Sequence, residues 1–172
     1  MSKKIFAILA ITFLIVLVGV FIYYEKLQSD MALTENVDDF DLLFRYGVGA
    51  KNKLNTFNGT YTKDMVIDPS ITVDFTLTSE EKLQILNKIN SIDFFNLHSS
   101  FPLNPHMWVT PQTDYYLKVQ NGNEVNEVSW NDNSIIEDSI ETNLDQLITF
   151  LLEIIENKAA YKALPTPRAG YI

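Results

Sequence analysis

The sequence predicts an α+β protein, an antiparallel sheet of about five strands with two helices in the order β-β-β-α-β-β-α, preceded by an N-terminal transmembrane helix. Three observations predict it. Apolar residues alternate at period two in several short segments, which marks half-buried strands. Two longer segments carry apolar residues at helical spacing behind N-cap signals. A continuous apolar run fills positions 5–24, interrupted only by Thr12 and Gly19.

That run is the first element. At 1.5 Å per residue, about 20 positions span about 30 Å, the hydrocarbon thickness of a bilayer. Roughly 14 of them are Leu, Ile, Val or Phe, so insertion is favourable by roughly 4–8 kcal/mol. Tyr23 and Tyr24 fall where an interfacial aromatic belt belongs. The run exceeds a signal-peptide core, and the Tyr23-Tyr24-Glu25-Lys26 that follows is not a small-residue cleavage site, which favours an uncleaved anchor over 1–26. Lys3 and Lys4 precede the run and Lys26 follows it, so the positive-inside rule leaves the N-terminus cytoplasmic and the rest outside the cell membrane. Residues 27–36 read as a polar stalk, 37–163 as one domain and 164–172 as an extended tail.

Phe40, Leu42, Phe44, Tyr46 and Val48 alternate as a first strand, closed by Gly47 and Gly49. A Gly-x-Gly could open a phosphate loop, but no third glycine follows and strand signals stand where a helix is required, so a strand-end turn is expected. Residues 54–66 read as a second, less regular strand, Asp68-Pro69-Ser70 as a turn, and Ile71, Val73, Phe75 and Leu77 as a third strand. Thr78 with Glu81 forms a capping box before a helix carrying Leu83, Leu86, Ile89 and Ile92 and ending near Asp93. After an irregular loop over 94–111, Tyr115, Leu117 and Val119 resume strand alternation. Asn121-Gly122 then supplies a hairpin turn into a return strand over 124–130. Ser134 with Glu137 is a second capping box. It precedes a helix with Ile140, Leu144, Leu147, Ile148, Leu151, Ile154 and Ile155 on one side, and Pro165 and Pro167 forbid its continuation.

The composition limits function. There is no cysteine, so disulfides, thiolate metal sites and a Cys nucleophile are excluded. The net charge is −9, from 13 Lys+Arg against 22 Asp+Glu. Such a chain repels phosphate backbones, and no nucleic-acid partner is expected. No cofactor motif is present, and neither a nucleophile elbow nor a His-Glu-x-x-His sequence occurs.

Candidate chemistry reduces to three features. His98 and His106, the two histidines, share the 94–111 loop without a metal-ligand spacing. Asn131, Asp132, Asn133 and Glu137 offer oxygen ligands without the glycine or spacing of a calcium loop. The loop also concentrates Phe94, Phe95, Phe101, Met107 and Trp108. Long connections in compact domains are often functional, and Phe101, His106, Met107 and Trp108 are the candidate ligand or interaction residues. The expectation is a non-enzymatic membrane-anchored extracytoplasmic domain that binds a protein or cell-envelope ligand. The alternatives are an envelope hydrolase using carboxylates or the His98/His106 loop, and a calcium-binding module. No catalytic and no metal-ligating residue is assigned.

The stretch over 46–65 (Tyr46-Gly47-Val48-Gly49 through Asp64-Met65), together with Trp130-Asn131-Asp132, Tyr161-Lys162 and Leu164-Pro165 near the end, resembles a family of small uncharacterised exported or membrane-anchored proteins of bacilli. The resemblance implies association with the cell envelope and brings no activity, so it assigns no functional residue.

Overall fold

The computed structural model describes residues 13, 14, 16–25 and 37–172. The chain divides into two units, Met1–Asp38 and Asp39–Ile172. In the first, residues 13, 14 and 16–25 are helical. Among the described residues no helix is long and apolar enough to cross a membrane. The predicted anchor at 5–24 lies in part (5–12 and 15), and the stalk at 27–36 wholly, outside the described residues.

The second unit is an α+β domain with six strands rather than five: β1 (Phe40–Val48), β2 (Asn52–Asn55), β3 (Thr60–Met65), β4 (Asp68–Asp74), β5 (Thr113–Asn121) and β6 (Glu124–Asn131). They form one antiparallel sheet in the order β4-β3-β2-β1-β5-β6. Helix α1 (Ser79–Ser91) follows β4, while α2 (Asp138–Asn157) and the single turn α3 (Ala159–Lys162) follow β6.

The alternation in β1 sets the two faces. Phe40, Leu42 and Phe44 are fully buried with Leu54 of β2, Tyr61 of β3, and Leu117 and Val119 of β5. Ile85, Leu86 and Ile89 of α1 and Leu144, Leu147, Ile148, Leu151 and Ile155 of α2 supply the other half of this core. The opposite sheet face, away from α1 and α2, exposes Arg45, Glu127 and Ser129.

The extra strand arises from an Asn-Gly pair. The expected single strand over 54–66 breaks at Asn58-Gly59, where Gly59 takes φ 62° and its N–H donates to Thr56 O at 3.2 Å. A second correction follows it. Asp68-Pro69-Ser70 is not a turn but the start of β4, and the chain reverses at Val66-Ile67 with Val66 at φ 65°. Asp64 makes that reversal tolerable, because its Oδ1 accepts the Val66 N–H at 3.1 Å. Pro69 costs little there, since β4 is an edge strand and one of its sides pairs with nothing. The strand at Gly47-Val48-Gly49 does end in a turn, with positive φ at Gly47, Gly49 and Ala50. In the β5–β6 hairpin, Asn121 pairs with Glu124, so the turn centres on Gly122-Asn123, one residue later than expected. Only Gly122 has positive φ there, as in a type II′ turn.

The two predicted capping boxes part company. Thr78 and Glu81 form theirs: Thr78 Oγ1 accepts from Glu81 N at 3.2 Å and Glu81 Oε2 from Thr78 N at 2.7 Å. Ser134 instead accepts the Asn131 N–H at 2.9 Å, and α2 starts behind Glu137 with no side-chain cap. The tight turn after β6 claims Ser134 before a helix can use it.

Lys158 leaves α2 as its C-cap and donates its ammonium to Glu81 Oε2. Burial alone would raise the Glu81 carboxyl, but hydrogen bonds from Lys158 and the Thr78 backbone hold it below its ordinary value of 4.5. A carboxyl lowered in the folded state adds stability above pH 4.5 that fades as pH falls through the lowered value. Glu81→Gln is therefore expected to cost about 1 kcal/mol at pH 7. The difference from wild type should shrink towards zero below pH 4.5. Urea titrations at neutral and acid pH test this, and an equal loss at both would refute it.

Candidate functional site

The 94–111 loop is the one region that both its length and its composition single out. It enters through Asp93 at φ 53° and a 3-10 turn over Phe94–Asn96. Phe94 is fully buried, and Phe95 meets its ring edge-on at 6.2 Å. Asn126 of β6 clamps this entry by donating Nδ2 to Phe94 O at 2.8 Å and Leu97 O at 3.0 Å.

Beyond the clamp the loop runs beside β6. Ser129 N donates to Ser99 O at 2.9 Å, and Ser100 bridges Ser129 in parallel. Leu103 then bridges Ser134, with Ile135 N on Pro102 O at 2.7 Å and Asn104 N on Asn133 O at 2.8 Å. The contacts at Ser129 cover part of the edge of β6, whose open N–H and C=O groups would otherwise invite another strand, and the others tie the loop to the turn after it. They also pre-order the loop, so whatever it meets need not supply that entropy.

The loop thus divides the candidate residues. Phe101 is half-buried and lines a cleft of about 390 Å³ on the open sheet face with Leu103, Arg45, Tyr116 and Ser129. His106, Met107 and Trp108 stand exposed, Trp108 at 90% and Met107 at 46%. His106 N is held by Asn104 Oδ1 at 3.0 Å. The first aromatics of the loop therefore complete the core, while the later ones are presented outward.

His98 and His106 are both exposed. Among the described residues no three His, Cys, Asp or Glu side chains gather to hold a metal ion. In the turn after β6, Asn131 Oδ1 accepts from Asn133 N at 2.9 Å and Asp132 Oδ2 from Thr113 N at 2.7 Å, while Asn133 donates Nδ2 to Gln112 Oε1 at 2.8 Å and its Oδ1 is buried without a partner.

A second cleft, of about 760 Å³, lies where the tail crosses the ends of β2 and β3, and its lining includes Asp64, Lys63, Glu156, Tyr161 and Tyr171. Nothing in the sequence reading marked it. Tyr46 and Tyr61 share a hydroxyl–hydroxyl hydrogen bond of 2.6 Å beside it, with the Tyr161 ring edge-on to Tyr61 at 5.6 Å. Burial pushes the Tyr46 hydroxyl up to about 12, and burial followed by the neighbouring Tyr46 pushes Tyr61 up further. Asp64 is 8% exposed, and its Oδ2 accepts from Tyr171 at 2.6 Å. Arg168 closes the tail with a two-point contact to Asp68. Both oxygens of Asp64 are thus spent on structure, one on the Val66 turn and one on the tail. Tyr46 stood in the alternating run of β1, but its partner Tyr61 lies on β3.

Compared with known protein families and with curated proteins, the chain matches none.

Proposed function

We propose that this protein is a membrane-anchored extracytoplasmic binding domain, which engages a protein or cell-envelope ligand through the outward part of the 94–111 loop. The observation that carries the reading is Trp108, 90% exposed beside Met107 on a loop whose backbone is tied to β6. A large aromatic ring left in water by a pre-ordered segment suits the anchor residue of an interface, where Trp dominates binding energy. Leu103 of the same loop is also exposed, at 61%. The anchor half of the proposal rests on the apolar run at 5–24 and the lysines before it.

One experiment addresses both halves. Intact cells bearing the full-length protein are treated with a membrane-impermeant crosslinker, and adducts are compared for wild type and Trp108→Ala. A defined adduct is expected, reduced about tenfold or more by the substitution. Adducts of equal yield would overturn the assignment to Trp108. Adducts that form only with a membrane-permeant reagent would overturn the outside placement.

A further inference from the structure

We propose that the open face of the sheet holds a second site, between β1 and β2, for a compact phosphate ester of a polyol or sugar. It rests on observations separate from Trp108. Arg45 of β1 and Lys53 of β2 are direct cross-strand partners, on the face away from α1 and α2. Like charges placed directly opposite one another destabilise a sheet. Lys51, in the turn before β2, adds a third cation, held in place by donating Nζ to the Tyr171 hydroxyl at 2.8 Å. All three line one cleft of about 500 Å³. Among the described residues no carboxylate lines it, and none of the three cations is in an ion pair. In a chain of net charge −9, with carboxylates in excess, that concentration of uncompensated positive charge is a local exception.

Asn55 makes the second demand. It lines the same cleft, and its side-chain oxygen is buried without a hydrogen-bond partner. Buried polar atoms in folded proteins are rarely left so. The cations require an oxyanion, whereas this oxygen requires a donor. A hydroxylated phosphate ester meets both. Its tetrahedral oxygens suit donors that do not share a plane, here the Arg45 guanidinium fork, the two ammonium groups and the Ser70 hydroxyl; the Thr62 hydroxyl in the same lining already shares a 2.8 Å hydrogen bond with Thr72. A carboxylate offers two oxygens in one plane. Arg45 Nε is already turned onto Ala50 O at 3.2 Å, which orients the fork and leaves its outer N–H groups for the ligand.

Charge also bounds the ligand's size. The chain as a whole carries 22 Asp+Glu against 13 Lys+Arg, so a long polyanion bound here would be repelled over most of its length. The site therefore takes a small ester, or the terminal unit of a larger one. Arg45 and Ala50 line the neighbouring Phe101 cleft too, so the two concavities adjoin.

Titration calorimetry of the full-length protein at low ionic strength tests the assignment with glycerol 3-phosphate, inorganic phosphate, glycerol and long-chain polyphosphate as probes. Glycerol 3-phosphate is expected to bind and glycerol not to bind, with inorganic phosphate several-fold weaker. Arg45→Gln with Lys53→Gln should weaken the ester at least tenfold. The same pair should leave the unliganded melting temperature unchanged or raised, because it removes a like-charge pair, and this excludes misfolding as the cause. Asn55→Ala should erase the preference for the ester over inorganic phosphate. No binding of either phosphate probe, affinity indifferent to the double substitution, or polyphosphate as the tightest probe would each overturn the proposal. Trp108→Ala should leave these affinities intact, so loss of crosslinking and loss of phosphate binding are separable failures.

Discussion

Phe44→Ala is expected to cost about 3–5 kcal/mol, a large part of the 5–15 kcal/mol that holds a domain of this size together. Phe44 is fully buried on β1, the strand between β2 and β5, where it faces Leu54 on one side and Leu117 on the other. Its ring stacks on Tyr46 at 5.0 Å. Removing it leaves a cavity between neighbours held by the sheet ladder, and a cavity that cannot collapse carries the upper part of that cost. Leu43→Ala, one residue away on the opposite face and only half-buried, should cost about 1 kcal/mol. Urea unfolding of both variants is the measurement. Equal losses would mean that the two faces of β1 are not differentially buried.

The second large effect is alkaline. The Tyr46 hydroxyl moves from an ordinary 10.0 to about 12 in the folded protein, through burial first, and Tyr61 is raised beyond it. A group raised on folding contributes stability that is complete below its unfolded value and lost as pH rises through its folded one. The wild-type domain should therefore lose about 2–3 kcal/mol between pH 10 and pH 12, from Tyr46 alone. At pH 7, Tyr46→Phe or Tyr61→Phe should each cost about 1–3 kcal/mol, because either leaves the other hydroxyl without its 2.6 Å partner. The double variant should cost less than the sum of the two and should show a flatter alkaline limb. Additive losses with an unchanged limb would show that the two hydroxyls act independently.

Much of the fold was legible in the chain, for a local reason. The period-two run from Phe40 to Val48, the Thr78–Glu81 box and the helical stripe through Leu144, Leu151 and Ile155 are each encoded within a few residues of themselves. The misreadings were also local. Asn58-Gly59 carries the same turn chemistry as the pair at 121–122, yet the flanking Phe57 and Tyr61 made the segment look like one strand. Ser134 met the capping pattern but was taken by a turn that the pattern does not encode. The candidate loop was legible as a place, since its aromatic content and length stand out. Which of its rings complete the core and which face water was not, because that depends on β6 lying beside it.

By itself, the sequence determined the class of the fold, the elements' periodicities, the α1 cap, the exclusion of cysteine chemistry and the acidic balance. These follow from residue type and short-range spacing. Only the tertiary structure decided the strand order β4-β3-β2-β1-β5-β6, the Tyr46–Tyr61 pair, the tail's ties to Asp64 and Asp68, and the meeting of Arg45 with Lys53. Each of these joins residues through strand register or chain crossing, and register is a property of the assembled sheet: a slip of β1 by one residue would turn Arg45 into the core, away from Lys53, and Phe44 into water.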